Sequence, residues 1–314
     1  MNIRQIIKLE ERNGKMKPHE LKIAMNSTTV MHSNLVTEIQ IAKQAGYKGI
    51  EIQQQKMYRY LDMGYSLDYI KDLIGDDLEV VGCGALWNVE RQGKEFDVFM
   101  TETRRMCEIA HSLGAPMIQL CTGPVDWNTC IDFAAGKVSA DDPRYLGLLG
   151  EPEDKVIELT AKNVAAAADV AAEYGLDLYL EPVAWAPINK ICTQGMKLVE
   201  AAGRDNVGFV VDFWHMWTAG ETPEQVAKLD KKYIKMVHIC DGLEYDRTTV
   251  PSQEILRDVW TGEGDIPLRR WIDAVKATGY DGWYATEIFC NRLFEKDQLE
   301  FARTMKNVFE YLID

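Results

Sequence analysis

Eight short apolar runs recur along the 314 residues, each followed by a stretch with helical periodicity, and this alternation limits the fold more than any other feature. The runs cover residues 22–25, 49–52, 78–82, 116–120, 176–180, 207–211, 234–239 and 282–287. Several are apolar on both faces, as strands of a parallel sheet covered on both sides must be. The intervening stretches carry helix boundaries. Ser33-Asn34 can cap a helix over Leu35–Ala45 that stops at Gly46, and the Ala-rich stretch Glu153–Glu173 stops at Gly175. Residues 193–202 end at Gly203, and residues 268–278 end at Gly279. Eight β-then-α units predict an α/β chain folded as a (β/α)8 TIM barrel, with an open doubly wound sheet as the lesser alternative.

Most strand starts are about 27 to 31 residues apart, the size of a minimal βα unit. The fourth and seventh units are longer and hold insertions at 122–150 and 242–263. Loops that follow strands lie on the catalytic face of such a barrel, so both long loops are candidate lids. The charged tip near Asp141-Asp142 reads instead as solvent-facing decoration. Residues 1–20 are polar and read as an N-terminal extension or subunit-contact arm, leaving 21–314 as a single barrel domain.

Composition narrows the function classes. A balance of 35 basic against 49 acidic side chains gives a net charge of −14, which repels phosphate backbones and anionic lipid. Nucleic-acid and membrane partners are therefore not expected, and no apolar run reaches the ~18 residues of a membrane-spanning helix. The N-terminus shows no continuous apolar segment of the secretory kind. Seven scattered cysteines without CxxC spacing suit reduced thiols in a cytoplasmic enzyme. No Gly-rich phosphate loop is present, and no organic cofactor is expected.

Four of the runs in the second half end in a metal-binding residue: Tyr179-Leu180-Glu181-Pro182, Val210-Val211-Asp212, Met236-Val237-His238-Ile239 and Ala285-Thr286-Glu287-Ile288. Taken singly, a carboxylate at a strand end often caps the next helix, and a lone His is more often a satisfied core residue. Four together, on consecutive parallel strands, would gather Glu181, Asp212, His238 and Glu287 at one end of the sheet. Burying several carboxylates in one place is costly without a compensating cation. Three oxygen donors and one nitrogen suit one divalent ion, Mn²⁺ first, with Mg²⁺, Co²⁺ and Zn²⁺ as alternatives.

At these residues, and at Asp212-Phe213-Trp214-His215, Val237-His238-Ile239-Cys240-Asp241 and Gly262-Glu263-Gly264-Asp265…Gly279-Tyr280-Asp281-Gly282, the chain resembles the sugar-phosphate isomerase/epimerase superfamily, the xylose-isomerase-like TIM barrels. The resemblance runs from Leu21 onward. It implies that Glu181, Asp212, His238 and Glu287 are metal ligands and that His215 contacts substrate oxygens. The metal would polarise a carbonyl of a sugar-like substrate and stabilise an enediolate, with Glu181 and Glu287 as the catalytic bases. Proton transfer between faces is epimerisation, transfer between neighbouring carbons is isomerisation, and expulsion of a β leaving group makes a lyase.

The pattern departs from the ketose 3-epimerases, which carry an Arg six residues after the metal His and a Glu six residues after the first metal Glu. Glu244 and Pro187 stand there instead, and Arg247 is the candidate substitute. Aromatic residues crowd the segments expected at the mouth: Trp87, Trp127, Trp185, Trp214, Trp217 and Phe289. With Asn189 and Lys190, they suggest a pocket wide enough for an aryl substituent, although Trp214 reads equally as core. Trp87, Trp185, Asn189, His215, Trp217 and Arg247 are the candidate substrate contacts. The same superfamily contains similar barrels that are the catalytic subunits of C-glycoside deglycosidases, lyases acting on 3-keto aryl C-glycosides with a smaller β subunit. The expected reaction is thus isomerase or epimerase chemistry on a keto-sugar, with that lyase as the alternative and a non-catalytic sugar-binding barrel behind both. A homo-oligomer is expected, or a hetero-oligomer under the lyase reading. His32 could reach the pocket, and Glu51 could face the substrate from the second strand. His111 reads as structural, His19 carries no signal, and Asp241 could orient a neighbouring ligand. Endonuclease-like repair is disfavoured by five histidines and the acidic charge.

Overall fold

The computed structural model describes residues 21–139, 142 and 148–314. Eight strands form a closed barrel in sequence order: β1 (Ile23–Asn26), β2 (Gly49–Gln53), β3 (Glu79–Leu86), β4 (Met117–Cys121), β5 (Asp177–Glu181), β6 (Val207–Asp212), β7 (Ile234–Ile239) and β8 (Tyr284–Thr286). Every neighbouring pair is parallel, and β1 closes the ring on β8 with Ala24 opposite Ala285. The open-sheet alternative is therefore excluded. The expected extension at 1–20, with His19, and Asp141 at the loop tip lie outside the described residues.

The helix signals act as the side-chain chemistry requires. Asn34 accepts from the Thr37 N–H at the start of Leu35–Ala45, and Gly46 closes that helix with φ 86°, a conformation open to glycine. The Ala-rich helix spans Glu153–Glu173. The stretch expected to be helical from 193 instead starts as a π-turn, Ile191–Gly195, before Met196–Ala202. Glu221 receives the Ile191 and Cys192 N–H groups there, at 2.9 and 2.7 Å. No helix among the described residues is long and apolar enough to cross a membrane.

Apolar residues fill two concentric layers. Ala24, Val81, Met117, Tyr179, Val210, Met236 and Ala285 pack inside the barrel, with Trp283 against them. A larger cluster, including Ile50, Leu178, Phe209, Trp271 and Phe309, joins the strands to the surrounding helices. Strand β3 runs longer than expected and is lined with small residues, which has a consequence above the core. A Cβ at Gly82 would lie 2.6 Å from the Tyr179 hydroxyl, and one at Gly84 would collide with the Gln119 side chain. The bare face of β3 thus lets Tyr179 and Gln119 reach across the barrel interior. Gln119 reaches Glu181 at the end of β5, and Tyr179 reaches Glu51 on β2.

Candidate metal centre and its surroundings

Strands β5 and β6 finish on Glu181 and Asp212, β7 carries His238 one residue before its end, and Glu287 follows β8 directly. Because the strands are parallel and staggered, these positions converge. One ligand atom from each of the four residues lies within 4.8 Å of all the others, and all four side chains are buried. His238 Nδ1 is 3.5 Å from Glu181 Oε1, 3.7 Å from Asp212 Oδ2 and 3.5 Å from Glu287 Oε1.

The opposite ring nitrogen of His238 fixes which way it points. Nε2 lies 2.9 Å from Glu51 Oε2, so it carries the proton and donates to that carboxylate. Glu51 is held by the Asn26 amide at 2.7 Å and the Tyr179 hydroxyl at 2.5 Å. Its carboxylate lies behind the histidine rather than facing a substrate, because three donors from β1, β5 and β7 engage both of its oxygens. Nδ1 of His238 and Oε1 of Glu181, by contrast, are buried with no hydrogen-bond partner. Unpartnered acceptors facing one another across less than 4 Å repel unless a positive charge stands between them. Burial disfavours charge on His238, yet the carboxylates of Glu51 and Glu287 outweigh it and hold the pKa well above the usual histidine range. The cluster therefore attracts a cation at this point, and a proton and a divalent ion compete for it. The residues present fit a divalent metal.

Each carboxylate has its own outer partners. Glu181 Oε2 accepts from the Gln119 amide at 2.6 Å and from the Cys121 thiol at 3.3 Å. Asp212 Oδ1 accepts the His215 N–H at 2.6 Å, as the cap of the short helix Phe213–Thr218, and Cys240 Sγ lies 3.2 Å from Oδ2. Burial, and then the Glu181 and Asp212 charges respectively, keep both thiols protonated, so they act as weak donors. Glu287 Oε2 accepts from Arg257 at 2.5 Å. The two glutamates consequently differ. Burial and then the Glu287 charge push Glu181 above the usual carboxylate range. Burial acts on Glu287 in the same sense, but Arg257 and His238 override it and hold it well below.

His215 is a neutral ring of fixed tautomer. Its Nδ1 accepts the Ala184 N–H at 3.0 Å, which leaves the proton on Nε2, 3.9 Å from Glu181 Oε1. Burial, reinforced by the Arg257 charge, lowers its pKa to about 3. Trp185 packs on it with ring centroids 5.6 Å apart and donates its indole N–H to Pro124. Trp127 meets Trp185 edge-on at 5.9 Å. Trp87 packs with Ala85, Cys121, Val183 and Ala186, on the side of Glu181. The two insertions also meet: Val250 from the second packs with Cys130, Phe133 and Leu149 of the first and with Trp185.

Other expected contacts lie elsewhere. Arg247 is exposed, donates to the Trp217 carbonyl at 2.8 Å and pairs with Glu244, its charge drawn to the insertion's own surface. Trp217 is half-buried beneath that guanidinium, 4.8 Å away. Asn189 turns back into its own loop, with its amide 3.3 Å from the Ala184 carbonyl. His32 is exposed beside Glu295, and His111 lies on the surface at the Tyr174 carbonyl. Trp214 is fully buried, as a core residue would be. Asp241 collects the N–H groups of Gly242, Gly262 and Gly264, drawing together the two ends of the second insertion. Arg257 was not visible in the sequence as a site residue, because it sits in that irregular insertion at no fixed offset from a motif. Gln119 and Cys121 were hidden for a related reason, on a strand that contributes no ligand.

Comparison with known proteins agrees with this architecture. The model of the xylose isomerase-like TIM barrel family matches residues 39–308. An inosose isomerase from Bacillus velezensis is 24% identical over 301 residues, covering 93% of this chain and 97% of that protein. A 3-dehydroshikimate dehydratase from Pseudomonas aeruginosa is 23% identical over 277 residues, covering 84% of this chain and 37% of that protein. Among solved structures, the IolI protein with a bound zinc atom superposes with a TM-score of 0.80 at 22% identity, over 93% of this chain and 98% of that one.

Proposed function

The chain belongs to the xylose isomerase-like TIM-barrel family, and from that premise we propose that it is a divalent-metal-dependent isomerase that moves a proton next to the carbonyl of a polyhydroxylated ketone. Similarity to inosose isomerases along nearly their whole length supports isomerase chemistry and points to a keto-cyclitol or related keto-sugar as substrate. One observation carries the reading: four ligand atoms within 4.8 Å, two of them buried and without a hydrogen-bond partner.

Glu181, Asp212, His238 and Glu287 would hold the ion, which as a Lewis acid would polarise the carbonyl and its neighbouring hydroxyl and so acidify the intervening C–H. Manganese is the favoured ion, with zinc, cobalt and magnesium compatible with three oxygens and one nitrogen. Glu181 is the better proton acceptor, because burial and the Glu287 charge make it the more basic carboxylate while Arg257 and His238 hold Glu287 low. Returning that proton to the adjacent carbon from the same face is isomerisation, which needs one base. The His215 Nε2–H, held neutral beside Glu181, is placed to donate to a substrate oxygen. Trp185 and Trp87 supply flat apolar walls on which the C–H face of a ring can pack.

The test is to incubate metal-loaded protein with an inosose in deuterated water and follow exchange at the carbon next to the carbonyl. Exchange is expected in the wild type and lost in Glu181→Gln; a wild type that exchanges nothing overturns the reading. The lyase alternative draws on the Trp-lined mouth and on similarity to a dehydratase, whose name denotes an elimination. Release of an aglycone from a 3-keto aryl C-glycoside, in the presence of a small partner subunit, would select it.

A further inference from the structure

Arg257 is less exposed, at 2%, than the two other buried Lys or Arg side chains among the described residues, and those are paired elsewhere, Lys56 with Glu38 and Arg91 with Glu102. Two rings and two acceptors hold its guanidinium, while its Nε–H is buried without a partner. The guanidinium lies over the Trp214 ring at 5.0 Å and the Phe289 ring at 4.2 Å, while Nη1 donates to Gln253 Oε1 at 3.2 Å. Nη2 donates to Glu287 Oε2, which leaves Oε1 of the same carboxylate facing His238 Nδ1.

The insertion after β7 is folded so as to bring this side chain inward. Asp241 ties the insertion's neck through the Gly242, Gly262 and Gly264 N–H groups. Leu243 donates to the Leu256 carbonyl at 2.8 Å, and Leu256 is buried one residue before Arg257. A Cβ at Gly242 would collide with Trp214, so the neck passes directly over the ring that supports the guanidinium. Charge gives a second reason for its place. Glu181, Asp212 and Glu287 carry three negative charges when ionised, and a divalent ion compensates two of them. A third buried negative charge without a partner is costly, and Arg257 lies where it offsets it.

We propose that Arg257 is the positioning residue of this centre: by holding Oε2 of Glu287, it presents Oε1 alone to the other ligands, and the second insertion is the element that delivers it. This rests on the proton-transfer reading above for its effect on rate, but not for its effect on the ligand. The experiment uses the full chain with Arg257→Ala and Arg257→Lys. Metal-free protein is first loaded with Co²⁺ alone, and the visible absorption bands of the ion report how the carboxylates surround it. Arg257→Ala should alter those bands, because Glu287 is freed to offer both oxygens, and millimolar guanidinium ion should restore them. With an inosose as substrate, kcat should fall by about 100-fold with little change in KM, the size expected when the ion that would orient the reacting carbonyl is misplaced by ~1 Å. Arg257→Lys keeps the charge without the planar fork, so it should fold and still show altered bands and a lowered kcat. A Co²⁺ spectrum identical to wild type in both variants overturns the proposal. Because that spectrum needs no substrate, a wild type inactive on every keto-polyol would sink the proposed reaction and leave Arg257 still under test.

Discussion

The two halves of the barrel divide the work at its centre. Strands β5 to β8 furnish or immediately precede Glu181, Asp212, His238 and Glu287. Strands β1, β2 and β4 contribute no ligand to that cluster, yet Asn26, Glu51, Gln119 and Cys121 hold two of the four ligands in place. Strand β3 contributes space, through Gly82 and Gly84. A ligand must be a metal-binding side chain at a strand end. A supporting residue need only be a donor or acceptor at the right height inside the barrel. The first requirement is strict and the second is loose.

The largest effect expected from that division is on the ligand half. Asp212→Ala or His238→Ala should remove metal retention and proton exchange together, with far-ultraviolet circular dichroism unchanged. Glu181→Gln keeps the size of the side chain, and exchange should fall by roughly 10² to 10⁴, the range for loss of a general base. Retention of full exchange in Glu181→Gln would place the base elsewhere.

The supporting half should show a smaller and different response. Glu51→Gln removes the charge behind His238 Nε2, and metal affinity should drop by about 10 to 100-fold in a calorimetric titration. Tyr179→Phe, on a ligand strand but in a supporting role, removes only one of the three donors to Glu51 and should cost less. If Glu51→Gln proved as damaging as His238→Ala, the distinction between ligand and support would collapse.

Glu90 extends the comparison to a residue outside both halves. It lies after β3, where its Oε2 accepts the Gly123 N–H at 3.0 Å, and its Oε1 is buried without a partner. Burial is the main cause that raises its pKa to about 7. The folded chain therefore favours the protonated acid. Its contribution to stability is complete below the unfolded value near 4.5 and is lost as pH rises towards 7. The difference corresponds to about 3 kcal/mol. Chemical denaturation from pH 4.5 to 8 should show that decline in the wild type and a flatter profile in Glu90→Gln. Equal slopes would mean that Glu90 does not titrate in this window. The smallest effect is expected at Arg247, exposed and paired with Glu244: Arg247→Ala should change stability by less than about 1 kcal/mol and leave metal affinity unaltered.

This division also governs what could be read from the chain itself. The barrel was legible because buried parallel strands need apolar runs and helices need stops such as Gly46 and Gly203. The ligand cluster was legible because a carboxylate or imidazole closing an apolar strand is a conspicuous break in pattern. Glu51 drew notice by the same break, but its direction was decided by Tyr179 and Asn26, which look like ordinary strand residues. Arg257 left no trace, since nothing in a 22-residue insertion whose one helical turn is Gln253–Leu256 indicates which of its charges turns inward. Arg247 matched the expected neighbourhood by its nearness to position 244, yet its guanidinium settled on the Trp217 carbonyl at the surface. Distance along the chain is a poor guide within insertions, where burial depends on which side chain the neck and the aromatic rings can enclose.

The account stands most directly on the cation at the strand ends. Metal-free protein titrated calorimetrically with Mn²⁺ at neutral pH should take up one ion per chain, and His238→Ala of unchanged fold should take up none. Wild-type protein that binds no divalent ion, or uptake undiminished in His238→Ala, would contradict it.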